Sequence, residues 1–114
     1  MGYQVPLKEI RFVLNELAEL PAVCTLPGYE DCNVDLVDAV LDEAAKFAEN
    51  VIAPINAAGD KGNVWNNFEV KTAEGFADAY AQFRDSGWVG LRAPQDYGGQ
   101  GLPALVAMAT EEMW

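Results

Sequence analysis

The stretch from Gly87 to Pro103, GWVGLRAPQDYGGQGLP, constrains the fold of this chain more than any other. Its five glycines and two prolines forbid a continuous helix or strand. It is not a flexible linker either, because Trp88, Val89, Leu91, Tyr97 and Leu102 are interleaved with the glycines and are expected to pack. Glycine at such spacing serves positive-φ turns and close backbone approach. The segment therefore reads as a structured connector, and the sequence on both sides of it has helical periodicity.

A first helix is expected over Leu7–Leu20. Leu7, Ile10, Leu14 and Leu17 recur at helical spacing, with Val13 and Ala18 widening the stripe and Phe12 off it. Pro6 suits the first turn and Pro21 is expected to stop the helix. Residues 21–34 form a turn-rich connector. A second helix should start near Asn33 or Asp35, with Asp38 in its first turn. Its wide stripe comprises Leu36, Val37, Val40, Leu41, Ala44, Phe47, Ala48, Val51 and Ile52. Pro54 must kink it, and Ile55 and Ala58 carry the period on towards Gly59. Residues 60–71 are expected to be irregular and anchored to the body by Trp65 and Phe68. Thr72 should cap a third helix, with Glu74 in its first turn, Phe76, Ala79, Tyr80 and Phe83 inward, and Gly87 as its left-handed stop. Pro103 should open a last helix with Leu105, Met108, Ala109 and Met113 on one face. That helix carries no stop signal before Trp114, and Glu111 and Glu112 put the wrong charge in its final turn. The expectation is an all-α fold of about four helices, the last truncated, at the front of a longer polypeptide.

Composition removes several chemistries. The 114 residues contain no histidine, which excludes the usual zinc sites and any Ser-His or Cys-His nucleophile. Seven Lys and Arg against 18 Asp and Glu give a net charge of −11, which argues against a nucleic-acid-binding module. The 51% hydrophobic content argues against disorder. MGYQVPLKEIRF has neither a basic n-region nor a long apolar core, and no apolar run approaches the ~20 residues of a membrane span, so a cytoplasmic location is expected. Cys24 and Cys32 could form a disulfide, but a pair of reduced thiols is the plainer reading, and two thiols alone make a poor metal site.

Candidate sites dissolve on inspection. Gly98-Gly99-Gln100-Gly101 lacks the preceding strand, the Lys-Ser/Thr pair and the glycine spacing of phosphate loops, so a structural turn is expected. Glu111 and Glu112 are helix neighbours pointing ~100° apart and do not converge for acid–base work. Lys8 and Arg11 share a helix face and could hold an anion, though an intrahelical ion pair or a bare surface is the simpler account. Trp65, Phe68, Trp88 and Tyr97 read as core aromatics rather than a stacking platform.

The loop at residues 87–103, with the helix ending in Glu111-Glu112-Met113, resembles the N-terminal α-domain signature of acyl-CoA dehydrogenases, a G-W-x-G-L…P-x-x-Y-G-G-x-G-L pattern. YQVPLKEIRFVLNEL at residues 3–17, EAAKFAENVIAPINAAGD at 43–60, and the combination of Thr72, Gly75-Phe76 and Tyr80 strengthen the likeness. Together they resemble the subfamily with an extra N-terminal helix, which includes 3-methylmercaptopropionyl-CoA dehydrogenases and long-chain relatives. The resemblance implies residues 1–34 as that extra helix and its connector, and 35–114 as the front of the helical domain. It implies a parent enzyme that dehydrogenates acyl-CoA thioesters with FAD, completed by β- and C-terminal domains and built as a homo-oligomer. In this family the catalytic glutamate and the flavin contacts come from those other domains. No catalytic, cofactor-binding or metal residue therefore transfers to these positions, and no FAD is expected on them. Gly87, Trp88, Gly90, Tyr97, Gly98, Gly99 and Gly101 transfer as a structural loop only. CoA and FAD phosphates would be repelled at close range by a segment this acidic and should be met elsewhere. The competing reading is a stand-alone acidic helical interaction module without catalysis.

Overall fold

The structure of the protein, a computed structural model, describes residues 2–114. It is all-α apart from one small hairpin, and the expected four helices are subdivided. The first splits in two. Helix α1 (Leu7–Phe12) runs into a π-helical turn, Val13–Leu17, and Glu19 then takes a left-handed conformation (φ 52°, ψ 48°) that ends it. Each π turn takes up an extra residue and rotates whatever follows. The predicted stripe therefore fails at Leu17, which is 68% exposed, and Leu20 is buried instead. Pro21 does not stop the helix. It lies in the first turn of α2 (Leu20–Val23), where its missing N–H costs nothing.

Helix α3 (Val34–Phe47) is the centre of the fold and packs against both α1 and α6. Asn33 caps it as the sequence predicts, with its side-chain oxygen accepting from the Leu36 amide at 2.8 Å. Asp35, rather than Asp38, occupies the first turn. Val37, Leu41, Ala44 and Ala48 are buried, joined by Ala45, while Leu36 stays outside. Small alanines at the contact let helices approach closely.

Asp38 and Asp42 instead face Arg11 of α1. Arg11 Nε donates to Asp38 Oδ1 at 3.1 Å and Nη2 to Asp42 Oδ1 at 2.7 Å. Arg11 thus joins α1 to α3, where the sequence suggested an intrahelical pair or a bare surface. The Asp42 hydrogen bond, the largest influence, and that of Asp38 raise the Arg11 pKa above its ordinary value against a desolvation cost. Lys8 makes no ion pair among the described residues.

Beyond Phe47 the helix continues through a π-helical turn (Ala48–Ile52) and a 3-10 turn (Ala53–Ile55) into α4 (Asn56–Lys61). This is the expected irregularity at Pro54, with the helix persisting to Lys61.

Residues 60–71, expected to be irregular, contain an antiparallel hairpin. Strand β1 (Val64–Asn66) pairs with β2 (Glu69–Lys71) across a two-residue turn, Asn67-Phe68, in which both residues have positive φ. Trp65 and Phe68 are not anchors: they are 67% and 91% exposed and pack edge-to-face on each other at 6.0 Å. Nor does Thr72 cap a helix. The Ala73 amide donates to Asn63 Oδ1 at 3.2 Å, closing the hairpin base, and α5 (Phe76–Asp85) starts only after Gly75.

Helix α6 (Ala104–Glu111) begins after Pro103 as expected. Its buried face is Val106, Ala107, Ala109 and Thr110, continued by Met113 in the turn that follows, and Met108 points out. The expected face is rotated because α6 is apolar almost all round, so periodicity gives it little direction. The buried Thr110 hydroxyl is satisfied by donating to the Ala107 carbonyl at 2.8 Å. The body is flat, 54 × 38 × 17 Å, and its 16.5 Å radius of gyration exceeds the ~13 Å of a compact domain of this length.

Candidate functional site

The glycine-rich segment leaves α5 at Gly87, whose φ of 83° ends that helix as predicted. It folds back on itself between two 3-10 turns, Trp88–Gly90 and Gln95–Tyr97. The amide of Gln100 donates to the Gly90 carbonyl, Gly101 to Ala93 and Leu102 to Leu91, each at 2.9 Å. Gly98 and Gly99 donate to Gln95 and Pro94 at 3.0 and 3.1 Å, and Gln100 Nε2 reaches the Gly87 carbonyl at 3.2 Å. The backbones come so close that a Cβ on Gly99 would overlap the Ala93 carbonyl. An anion site needs several free amides aimed at one point. Here the amides of residues 97–102 are already engaged within the loop.

Trp88 is half-buried in a knot of aromatics that the sequence did not reveal as a unit. Trp114 meets Phe83 at 5.3 Å and 89° and Phe47 at 6.0 Å and 85°, while Trp88 lies 5.5 Å from Trp114 and 6.3 Å from Phe47. The two Trp114–phenylalanine pairs are edge-to-face and the two Trp88 pairs tilted, and together they join α3, α5, the loop and the end of α6. Trp88 Nε1 is buried without a partner. Tyr97, expected to pack, is 87% exposed at the loop tip, because the two backbone arms close on each other and leave it outside.

Beside this knot lies the largest concavity, an open groove of about 1280 Å³. The kinked stretch from Ala48 through Pro54 to Asp60 forms one wall; Phe76, Tyr80 and Phe83 of α5 form the other, and Trp114 closes one end. Glu49 lines it and accepts the Val5 amide at 2.8 Å, fixing the N-terminal segment. A second groove of about 530 Å³ runs between Ile10, Val13 and Leu14 and the Leu105–Met108–Glu112 side of α6. Glu111 and Glu112 border it as exposed side chains.

Among the described residues no group of His, Cys, Asp or Glu is arranged to hold a metal. Three cations are paired with carboxylates: Arg11, Lys46 with Glu43, and Arg84 with Asp85. Lys8, Lys61, Lys71 and Arg92 are exposed on separate elements. Cys24 and Cys32 are free thiols with their sulfurs 3.2 Å apart, and burial, then the Cys24 contact, pushes the Cys32 thiol up to about 11. No helix among the described residues is long and apolar enough to cross a membrane.

Comparison with known proteins agrees with the resemblance read from the loop. The chain is 38% identical, over 99% of its length, to a 3-methylmercaptopropionyl-CoA dehydrogenase of Ruegeria pomeroyi. It spans 19% of the length of that relative. Residues 36–114 match the family described as acyl-CoA dehydrogenase, N-terminal domain. With its helical body and its self-closed glycine loop, the chain belongs to the acyl-CoA dehydrogenase family through that N-terminal domain.

Proposed function

We propose that these residues are the N-terminal helical part of an FAD-dependent enzyme that introduces a double bond α,β to the thioester of an acyl-CoA, and that on their own they catalyse no dehydrogenation. The observation that carries this reading is the 38% identity sustained along 99% of the chain to an acyl-CoA dehydrogenase. The residues present do not fit a flavin or a CoA diphosphate. The amides of residues 97–102 are engaged with loop carbonyls, three of seven cations are committed to carboxylates, and the net charge is −11. Phosphate recognition and proton abstraction are assigned to the remainder of the enzyme.

In this reading the chain supplies walls and angles. The loop and the aromatic knot fix α5 against α3 and α6, and the groove beside them offers an apolar face to the rest of the protein. Exposed Phe12, Leu17, Val89 and Met108 support the same view, since apolar side chains on a flat body are covered by further domains or by a second copy in a homo-oligomer.

The test compares two proteins. The complete polypeptide carrying this sequence should be yellow and should reduce an artificial electron acceptor with at least one of a panel of acyl-CoA thioesters, while the 114-residue chain should be colourless and inactive. Stoichiometric flavin on the 114-residue chain, or no turnover of any thioester by the complete one, would sink the proposal. Sedimentation of the isolated chain should show self-association, and a clean monomer at high concentration would remove the homo-oligomer from it.

A further inference from the structure

The connector between α2 and α3 holds a chemistry that the enzyme reading does not use. Cys24 is the C-cap of α2, and Cys32 immediately precedes Asn33, the N-cap of α3. The nine residues from one to the other are held by turns. Thr25 and Leu26 donate to Ala22 and Val23, Tyr29 to Leu26, and Cys32 to Tyr29, all between 2.9 and 3.2 Å, while the Gly28 amide donates to Glu30 Oε1 at 3.0 Å. These bonds bring two sulfurs eight positions apart to 3.2 Å, and one thiol donates to the other. A covalent S–S bond requires about 2.05 Å, so the two sulfurs have only about 1 Å left to close.

We propose that Cys24 and Cys32 are a reversible dithiol–disulfide pair, oxidised by small-molecule disulfides, that ties the end of α2 to the start of α3. The two thiols differ in access. Cys32 is 7% exposed, whereas Cys24 is half-buried and reachable. Burial also keeps Cys32 largely protonated and so a slow nucleophile toward an external disulfide at neutral pH. Cys24 therefore reacts first. Its thiolate attacks one sulfur of R–S–S–R, forming a Cys24–S–S–R bond and releasing RS⁻, which takes up the Cys24 proton. Cys32 then loses its proton and attacks the Cys24 sulfur, and the second RS⁻ leaves as RSH. Two protein thiols are oxidised to one disulfide while one small disulfide is reduced to two thiols.

The experiment uses the full chain and cystamine, a cationic disulfide suited to a surface of this charge. The chain is equilibrated with cystamine and its thiol at fixed ratios, quenched in acid, alkylated and weighed intact. Only two species are expected, one heavier than the reduced chain by two alkyl groups and one, with neither thiol alkylated, lighter than the reduced chain by two hydrogens. Dithiothreitol should restore the first, and the far-ultraviolet circular dichroism should be unchanged. The oxidised form should melt about 5–10 °C higher. Cys32→Ser should trap the adduct on Cys24, and Cys24→Ser should slow modification of Cys32 about tenfold or more. Independent modification of the two thiols in the wild-type chain, dimers as the sole oxidised product, or loss of helical signal on oxidation would each overturn the proposal.

Discussion

Two non-helical segments of similar composition behave in opposite ways. The glycine-rich loop at 87–103 and the segment at 62–71 both mix glycine or asparagine with tryptophan, phenylalanine or tyrosine. The first closes its amides across its own two arms and lays Trp88 into an aromatic knot shared by three helices. The second satisfies its backbone in a two-stranded ladder and stands away from the body with Val64, Trp65, Phe68 and Val70 exposed. Aromatic content did not decide which one packs. What decides is whether the backbone folds back to place its side chains against a helix, and the glycine at 99 permits that by removing side-chain bulk where the arms meet.

The largest expected effect breaks that close approach. Gly99→Ala puts a methyl into the Ala93 carbonyl, a backbone group that cannot swing aside. Destabilisation of about 3 kcal/mol or more is expected, lowering the melting midpoint by about 12 °C or more. Gly62→Ala, at the hairpin base, meets open space and bears only the strain of φ 82° and ψ −179°, a region that glycine alone enters freely, about 1–3 kcal/mol. Equal losses at the two sites in thermal denaturation would show that the loop is no tighter than the hairpin. Next comes Phe47→Ala, which removes the ring that touches Phe83, Trp88 and Trp114 at once. A loss of about 3 kcal/mol is expected from urea denaturation.

A smaller, pH-dependent effect concerns the connector, whose Cys32 borders the same cleft as Pro94, Gln95 and Gly101 of the packed loop. The thiol ionises near 9.0 when unfolded and near 11 when folded, because burial disfavours the thiolate and the Cys24 contact adds to that. Below pH 9 it is protonated in both states and contributes no pH dependence. Between pH 9 and 11 the unfolded chain releases the proton and the folded one keeps it, so stability falls as pH rises. The expected loss, measured as wild type minus Cys32→Ser under reducing conditions, is about 2 kcal/mol at most. A flat difference curve over that interval would mean that Cys32 is solvated and the connector loose.

Local chemistry made part of this fold legible in the sequence. Asn33, Gly87 and Pro103 each act through their own backbone or their nearest neighbours, and each does what its residue type predicts. Pro54 likewise perturbs its helix where expected. The family signature was legible because its glycines meet backbone requirements that other residues cannot. Features set by tertiary partners were not. Glu19 takes a left-handed conformation with no glycine to announce it, and the π turn before it displaces the stripe beyond Leu14. Asn67-Phe68 makes a hairpin turn with phenylalanine where glycine is usual, so only Asn67 marked it. The knot of Phe47, Phe83, Trp88 and Trp114 draws on four separate segments, and spacing cannot show such a convergence.

The smallest expected effect tests the other side of the comparison. Replacing both Trp65 and Phe68 by serine removes the most exposed aromatic pair in the molecule. Their edge-to-face contact at 6.0 Å and 80° would be worth about 0.5–1.5 kcal/mol where desolvated. With Phe68 91% exposed, most of that surface is in water in the folded and unfolded chain alike, so the double variant should lie within about 0.5 kcal/mol of wild type. The turn itself should resist less than before, since serine at position 68 carries no ring through a positive φ of 67°. A loss above about 1.5 kcal/mol would mean that the hairpin lies against the helical body in solution. The two segments would then differ in how they fold back, and no longer in whether they pack.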